Sequence, residues 1–575
     1  MADISFGNIN INDNGSINLS TKVLGVDLNE LVDGFVKAKS VPITRKEVEV
    51  SKKSDTLAAY KDYEDLLNAL KSPSGNLRRP SVAQNGTDVF GQNIAYATSS
   101  SGGSSTAVTV TPKTATPLGT YSLTVNRLAK SDAVLSSAVD VFSSQDDPLI
   151  TTAGNLSING TAITVGAGDS LKTVVDAINA QTSTTKVRAQ IVNLGNSTYR
   201  LNLSATESGK AITLTGSDAG VLDDLNLSAL GSGETDASLS AEVVYNGVTV
   251  TRSSNTIKDL IPSASIDLFS ANPADRIRIS VETNNQNVRA QVDAFVEAYN
   301  ALRDFYDTQT VVNGDGTVPE TSILVNQTAF RGSFLGLETI LTGGVSGLSS
   351  VSSLRDVGIT LDKDNYLVVD DVKLNDAIVD KGDAVAKLFG FTSTSSNSDF
   401  FVARRPDVLK SSLGNTDITV RVLETDTSGK PTKAEMVVAG VTYNSTQVTI
   451  SQGGAIIPPE GIGLDGARFG YSGGVIALGG AAKTTTIKMT QGIADQVASY
   501  LDTTLSTDGV LANQKASIQE TIDSIDAQIA TLKTQVADYE KTLRASLQNT
   551  ENRVSQLTAT QNFLKAQTDA LNSNN

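Results

Sequence analysis

Histidine, cysteine and tryptophan are all absent from this 575-residue chain. Without histidine there is no serine-hydrolase relay and no His-ligated zinc or iron centre. Without cysteine there is no disulfide, no thiol nucleophile and no cysteine metal site. Aromatic residues are scarce, at 5%, so cores must rest mainly on Val, Leu, Ile and Ala. The sequence also lacks a P-loop, a dinucleotide glycine fingerprint and a full calcium loop. "NGDGT" (313–317) and "DKDNY" (362–366) resemble calcium fragments but lack the spaced acidic set and the closing Glu, so they read as tight turns. No cofactor, no metal and no enzymatic activity are expected. The 62 acidic residues leave carboxylate catalysis available, but no motif supports it.

Positive charge is short as well: the net charge is −16 and the isoelectric point near 4.6, which argues against nucleic acid or an anionic membrane as partner. The imbalance is uneven. Residues 1–72 carry nine basic and eleven acidic side chains and residues 511–575 carry six and seven, so almost all the excess lies in the middle. Nearly neutral ends suit segments that pack on other protein. No stretch approaches 18 uninterrupted apolar residues, so no membrane span is expected. The opening "MADISFGNIN" has neither a basic nor an apolar signal region, so export would use a route that cleaves no such signal.

What is present is helix at both ends and strand between them. "VLGVDLNELVDGFVKAK" sets Leu24, Leu28, Leu31 and Phe35 at helical spacing, with Asp27 as a cap. Pro42 is expected to end or kink that helix. A second helical stretch has Val50, Leu57, Leu67 and Leu70 as core candidates, and "SPSGNLRRPS" (72–81) punctuates its end. From about residue 90 the texture turns to alternating Val, Thr, Ile and Ser. "TAVTVTP", "TYSLTVNRLA", "VRAQIV" and "AITLTG" read as strands. Asn159-Gly160 and Asn246-Gly247 each sit between alternating runs, a hairpin signal. Helices are expected at 170–180, through Val292, Phe295, Tyr299 and Leu302, and through Phe330, Phe334, Leu337 and Leu341. Residues 395–490 return to strands and Gly-rich turns.

Near the end, Ile518, Ile522, Ile525, Ile529, Leu532, Val536, Tyr539 and Leu543 fall in steps of four and three, on one stripe of a helix. After a stutter the stripe continues through Leu547, Val554, Leu557 and Leu564. A helix from 517 to 567 would reach roughly 75 Å. Such a narrow stripe is what a coiled-coil seam requires.

Several stretches resemble the flagellar filament cap proteins, also called hook-associated protein 2. "GVDLNELVDGFVKAKSVPITRKE" is similar to that family's opening helical segment and "TPLGTYSLTVNRLAKSDAV" to its first β motif. "VTRSSNTIKDLIP", "LRDVGITLDKDNYLVVDDVKLNDAI" and "GIADQVASYLDTTLSTDGVLANQ" resemble its later signatures in the same order. "LSINGTAITVGAGDSLKTVVDAIN" resembles a repeat shared with flagellins. The departure is about 395–485, where shorter relatives pass almost directly to the final helical region.

The resemblance implies a multidomain α+β fold: β-rich head domains inserted between amino- and carboxy-terminal helices that form a coiled-coil leg. The expected division is a partly disordered helical leg at 1–45 and a helical and strand intermediate domain at 46–90 plus 282–395. A β-rich head domain is expected at 91–130 plus 240–281, and an outer head domain with the flagellin-like repeat at 131–239. An inserted β-rich domain occupies 396–485 and a carboxy-terminal helical leg 486–575. The leg residues named above, Leu24 to Phe35 and Ile518 to Leu564, would form the assembly interface, with 1–45 and about 510–575 poorly ordered in isolated protein. By this resemblance the chain is secreted to the flagellar tip, where a ring of about five copies inserts exported flagellin and prevents its loss. Its partners would be its own copies, flagellin, and the type III export apparatus with its chaperone; a host surface receptor stays open. The alternatives are another axial protein, either a flagellin or a hook–filament junction protein, and a surface adhesin on a coiled-coil stalk.

Overall fold

In this computed structural model the described residues are 10–11, 17–18, 28–79, 88–137, 144–195, 198–407 and 409–572. They form two compact units, one of Met1–Gly86 with Arg289–Asn575, the other of Thr87–Val288. The fold is multidomain α+β, with most strands between a long amino-terminal and a long carboxy-terminal helix.

The first unit is built on two long helices, Leu28–Leu77 and Val510–Asn572. The first runs straight through Pro42 and Pro73, so Pro42 does not end it and the two expected helical stretches are one. A proline costs the helix one hydrogen bond, which packing on either side can offset. Pro42 itself is exposed while Ile43 beside it is buried, and Ser40 donates its hydroxyl to the Val36 carbonyl. The "SPSGN" punctuation likewise yields to Leu77, which is fully buried.

Around the carboxy-terminal half of this helix pack Asn285–Thr310, Thr328–Thr342, Gly382–Phe389 and Ile493–Thr504. The scarce aromatics are concentrated here. Phe330 lies edge-on to Tyr63 at 4.7 Å, and Tyr306 stacks on Phe334 at 4.0 Å. Val292, Phe295, Tyr299 and Leu302 are all fully buried, as the four-three spacing requires. Both calcium-like fragments are turns. Asp315 accepts from the Thr317 backbone, and Asp362 from the backbones of Asp364 and Tyr366.

The same unit carries a double sheet at 391–491. One sheet has five strands in the order Phe391–Ser395, Lys483–Gln491, Ile418–Thr425, Pro431–Val438, Val441–Tyr443. The other has Phe400–Arg404, Arg468–Tyr471, Ile456–Ile457 and Thr449–Ile450. Val420, Met436, Ile456, Phe469, Ile487 and Met489 fill the space between them.

The second unit has two cores. In one, a five-stranded sheet with Gly119–Arg127 and Ile277–Thr283 at its centre faces a three-stranded sheet that contains Val108–Pro112. Ile277, Ile279 and Val281 point inward and their neighbours outward, the period of a half-buried strand. In the other, the helix Leu171–Ala180 and the hairpin Gly154–Ile158/Thr161–Val165 share a core with the sheet of Ser131–Leu135, Thr198–Ser208 and Val187–Gly195. Ser170 caps the helix by accepting from the Thr173 backbone. Asn159 and Gly160 take φ of 50° and 81°, and Asn246 and Gly247 take 48° and 85°, the left-handed pair that a tight hairpin turn needs. Residues 211–216 are not the expected strand; Ile212 and Leu214 anchor an irregular segment in the core instead.

Candidate assembly surface

The two long helices lie side by side and antiparallel. Lys515 pairs with Glu64 at 2.5 Å, Lys533 with Glu47 at 2.8 Å and Arg544 with Asp33 at 3.6 Å. As the residue number falls along one helix it rises by almost the same amount along the other. Between these pairs runs an apolar seam. Ile525, Ile529 and Val536 are buried against Ile43, with Leu532, Val36 and Val50 packed on the same cluster. Ile518 and Ile522 are buried further down.

The expected interface residues thus fall into three groups. Ile518, Ile522, Ile525, Ile529 and Val536 are buried, while Leu31, Phe35, Leu532, Leu543 and Leu547 are half-buried. Tyr539 is exposed, with the Lys39 ammonium 6.0 Å from its ring centre. Leu557 and Leu564 are 69% and 55% exposed, and so is Phe563 beside them, at 63%. Leu24 and Asp27 lie outside the described residues, as do the side chains of Leu28 and Val554. The register of the ion pairs brings Leu28 level with about residue 550 on a matched antiparallel helix. Beyond it the stripe has no facing helix among the described residues, which is why its last apolar side chains are bare.

Sequence reasoning missed Val32 and Ile43, buried to 2% and 7% exposure. Val36, Ile43 and Val50 recur every seven residues, a signal that was there to read across Pro42. It also missed the ionic cluster at the root of the pair. Asp495 is fully buried, with Arg78 Nε at 2.9 Å and Arg405 Nε at 3.5 Å. Asp502 takes Arg78 at 3.2 Å and Lys71 at 2.8 Å. Arg405 also donates to the Arg79 carbonyl. The cluster therefore ties the end of the amino-terminal helix, the 391–491 double sheet and the helix Ile493–Thr504 together. Burial pushes the Asp495 carboxyl up, against the pull of the two guanidiniums, and pushes Arg405 down. No spacing rule marks three residues so far apart in sequence.

This surface combines a buried apolar seam, opposite charges paired across it and exposed apolar side chains at its far end. Among the described residues no group of acidic side chains could hold a metal ion, and no helix is long and apolar enough to cross a membrane.

Residues 24–132 match the family model "Flagellar hook-associated protein 2 N-terminus", 151–207 "Flagellin hook IN motif", and 238–559 "Flagellar hook-associated protein 2 C-terminus". The A-type flagellar hook-associated protein 2 of Pseudomonas aeruginosa is 28% identical over 390 residues, 64% of this chain and 78% of that one. The Escherichia coli K12 flagellar hook-associated protein 2 is 24% identical over 451 residues, 74% and 93% of the two. A solved structure of three domains of the flagellar cap protein FliD from Escherichia coli aligns at 20% identity and a TM-score of 0.48, over 80% of this chain and 99% of that one. Because the 238–559 match alone spans more than half of the sequence, the chain belongs to the flagellar hook-associated protein 2 family, a structural family of the bacterial flagellum.

Proposed function

We propose that this protein caps the distal end of a flagellar filament, where it promotes folding and insertion of exported flagellin and prevents its loss. The observation that carries the reading is the paired-helix strut of a family member whose apolar stripe outruns its partner. A strut gripped along its shaft and bare at its tip is suited to standing on a surface that must be released and re-engaged. In this reading copies of the chain form a ring, the interface residues from Leu24 to Phe35 and Ile518 to Leu564 contact the strut's own helices and neighbouring axial subunits, and the strand-rich domains face outward. The chain would leave the cell through the flagellar export apparatus with a chaperone, and reside at the filament tip. The division into legs, intermediate, head, outer head and inserted domains belongs to the same proposal.

The test is deletion of the gene. Cells should lose their filaments and shed flagellin monomers into the medium, and the intact gene should restore both. Full-length filaments in the deletion strain would sink the proposal.

A further inference from the structure

The alternation that turns Ile277, Ile279 and Val281 of one strand into the core turns Arg278 outward, with Arg276 just before it on the same side. Two residues apart on extended backbone, their α-carbons are about 7 Å from each other. The register sets Arg278 opposite Ser122 of the strand Gly119–Arg127. Arg276 leans toward the same residue, its Nη2 donating to the Ser122 hydroxyl at 3.4 Å. Both arginines therefore flank Ser122.

They line a cavity of about 510 Å³ together with Ser100, Thr120, Ser122 and Asn246. The Asn246-Gly247 turn closes one side, and the Asn246 side-chain carbonyl accepts from the Ser122 backbone at 2.9 Å, which ties that turn to the strand. The turn after the strand Asn93–Thr98 closes another. Asp275, next to Arg276 in sequence, is committed to that turn. It accepts from the Ser99 hydroxyl at 2.8 Å, the Ser100 backbone at 2.9 Å and the Ser100 hydroxyl at 2.8 Å. Neither Arg276 nor Arg278 has an ion pair among the described residues, although Arg127 and Arg252 of the same unit both reach carboxylates. Two cations on one wall repel each other, and an anion within reach of both relieves the repulsion.

We propose that this cavity binds a doubly charged tetrahedral oxyanion, the sulfate or phosphate group of a small molecule. Arg276 and Arg278 supply the charge, and the Ser122 and Thr120 hydroxyls are further donors. The Ser122 oxygen already accepts from Arg276, so its own hydrogen is left to donate outward. A tetrahedral anion offers an oxygen to each guanidinium and to each hydroxyl, whereas a carboxylate has only two to share. The site is built within one copy and does not rest on the cap reading.

The experiment is equilibrium dialysis of the full chain against radiolabelled inorganic sulfate and, separately, inorganic phosphate, in chloride buffer of low ionic strength. Each should fill one saturable site per chain and bind more weakly as salt rises. Arg276→Gln with Arg278→Gln should weaken binding by about tenfold or more at an unchanged thermal midpoint. Arg188→Gln removes another exposed arginine of this unit and should leave binding as it was. The two anions tell the sources apart. Tighter binding of sulfate at every pH points to a sulfate ester, and tighter binding of phosphate once pH rises through neutrality and its second charge forms points to a phosphate ester. Absence of saturable binding of both anions overturns the proposal, and so does a double variant that binds as the parent does. An Arg188 variant that loses as much as the double one overturns it too, since net charge rather than this cavity would then set the affinity. None of these results bears on the cap reading, which stands or falls on gene deletion.

Discussion

Near its carboxy-terminal end the Leu28–Leu77 helix buries Tyr60, Tyr63, Leu67 and Leu70 completely, among helices that meet it from several directions. Between Val32 and Val50 the same helix has one partner among the described residues, and only Val32 and Ile43 are buried. The helical backbone is alike in both halves; what differs is how much apolar surface each turn removes from water. A lone helix gains little from propensity, so stability follows the packing. The root should therefore open only with the whole bundle, while the shaft can open by itself. A grip that yields progressively toward its tip suits a part that has to let go without unfolding.

The largest way to break this contrast is at the root. Asp495→Ala leaves the buried Arg405 guanidinium without its nearest counter-charge and Arg78 with Asp502 alone, and should cost about 3–5 kcal/mol. Thermal unfolding checks it, and a shift no larger than that of an exposed substitution would show that the cluster does not hold the root.

Next in size is the shaft. Ile525→Asp with Ile529→Asp removes two seam residues, each contributing about 1.5–3 kcal/mol by burial. Amide exchange should accelerate across 32–50 and 518–543 while residues around Tyr63 stay protected. Acceleration that spread equally into the bundle would erase the distinction between the halves. The same double variant should fail to cap.

Alkaline titration gives a smaller effect. Burial pushes the Tyr60 phenol up to about 12, and Tyr63 moves in the same direction, chiefly by burial. The folded root thus keeps protons that the unfolded chain releases first. Its stability is fully present below about pH 10, the ordinary tyrosine value, and declines as pH rises toward the raised ones. Denaturant melts above pH 10 should weaken the root; an unchanged midpoint would contradict the buried phenols.

The smallest effect on the isolated molecule is at the tip. Leu557→Ser with Leu564→Ser should change its stability by no more than about 0.5 kcal/mol, since both side chains are already in water. If those residues grip a neighbour, motility should still fall.

How much was readable before the structure follows the same physics. The stripe from Ile518 to Val536 was plain because a two-helix seam obeys a single period, and the hairpins were plain because Asn-Gly fits few other backbones. Pro42 misled because a proline's local penalty is visible in sequence while Ile43, Val36 and the opposite helix that outweigh it are not. The segment 211–216 alternates like a strand, yet Ile212 and Leu214 are buried without neighbours to complete a ladder. The Arg78–Arg405–Asp495 cluster joins positions 90 and 417 residues apart and leaves no periodic trace.

The chain enters and leaves the 391–491 double sheet through a narrow doorway. Phe391 pairs with Gln491, and the Gly492 amide donates to the Gly390 carbonyl at 3.0 Å. Any side chain on Gly492 would collide with the Phe389 backbone, 2.4 Å from where its first carbon would sit. Two strands that depart from adjacent points set the whole module on a common socket, from which Arg405 reaches across to Asp495 while Arg78 meets the same carboxylate from the end of the amino-terminal helix.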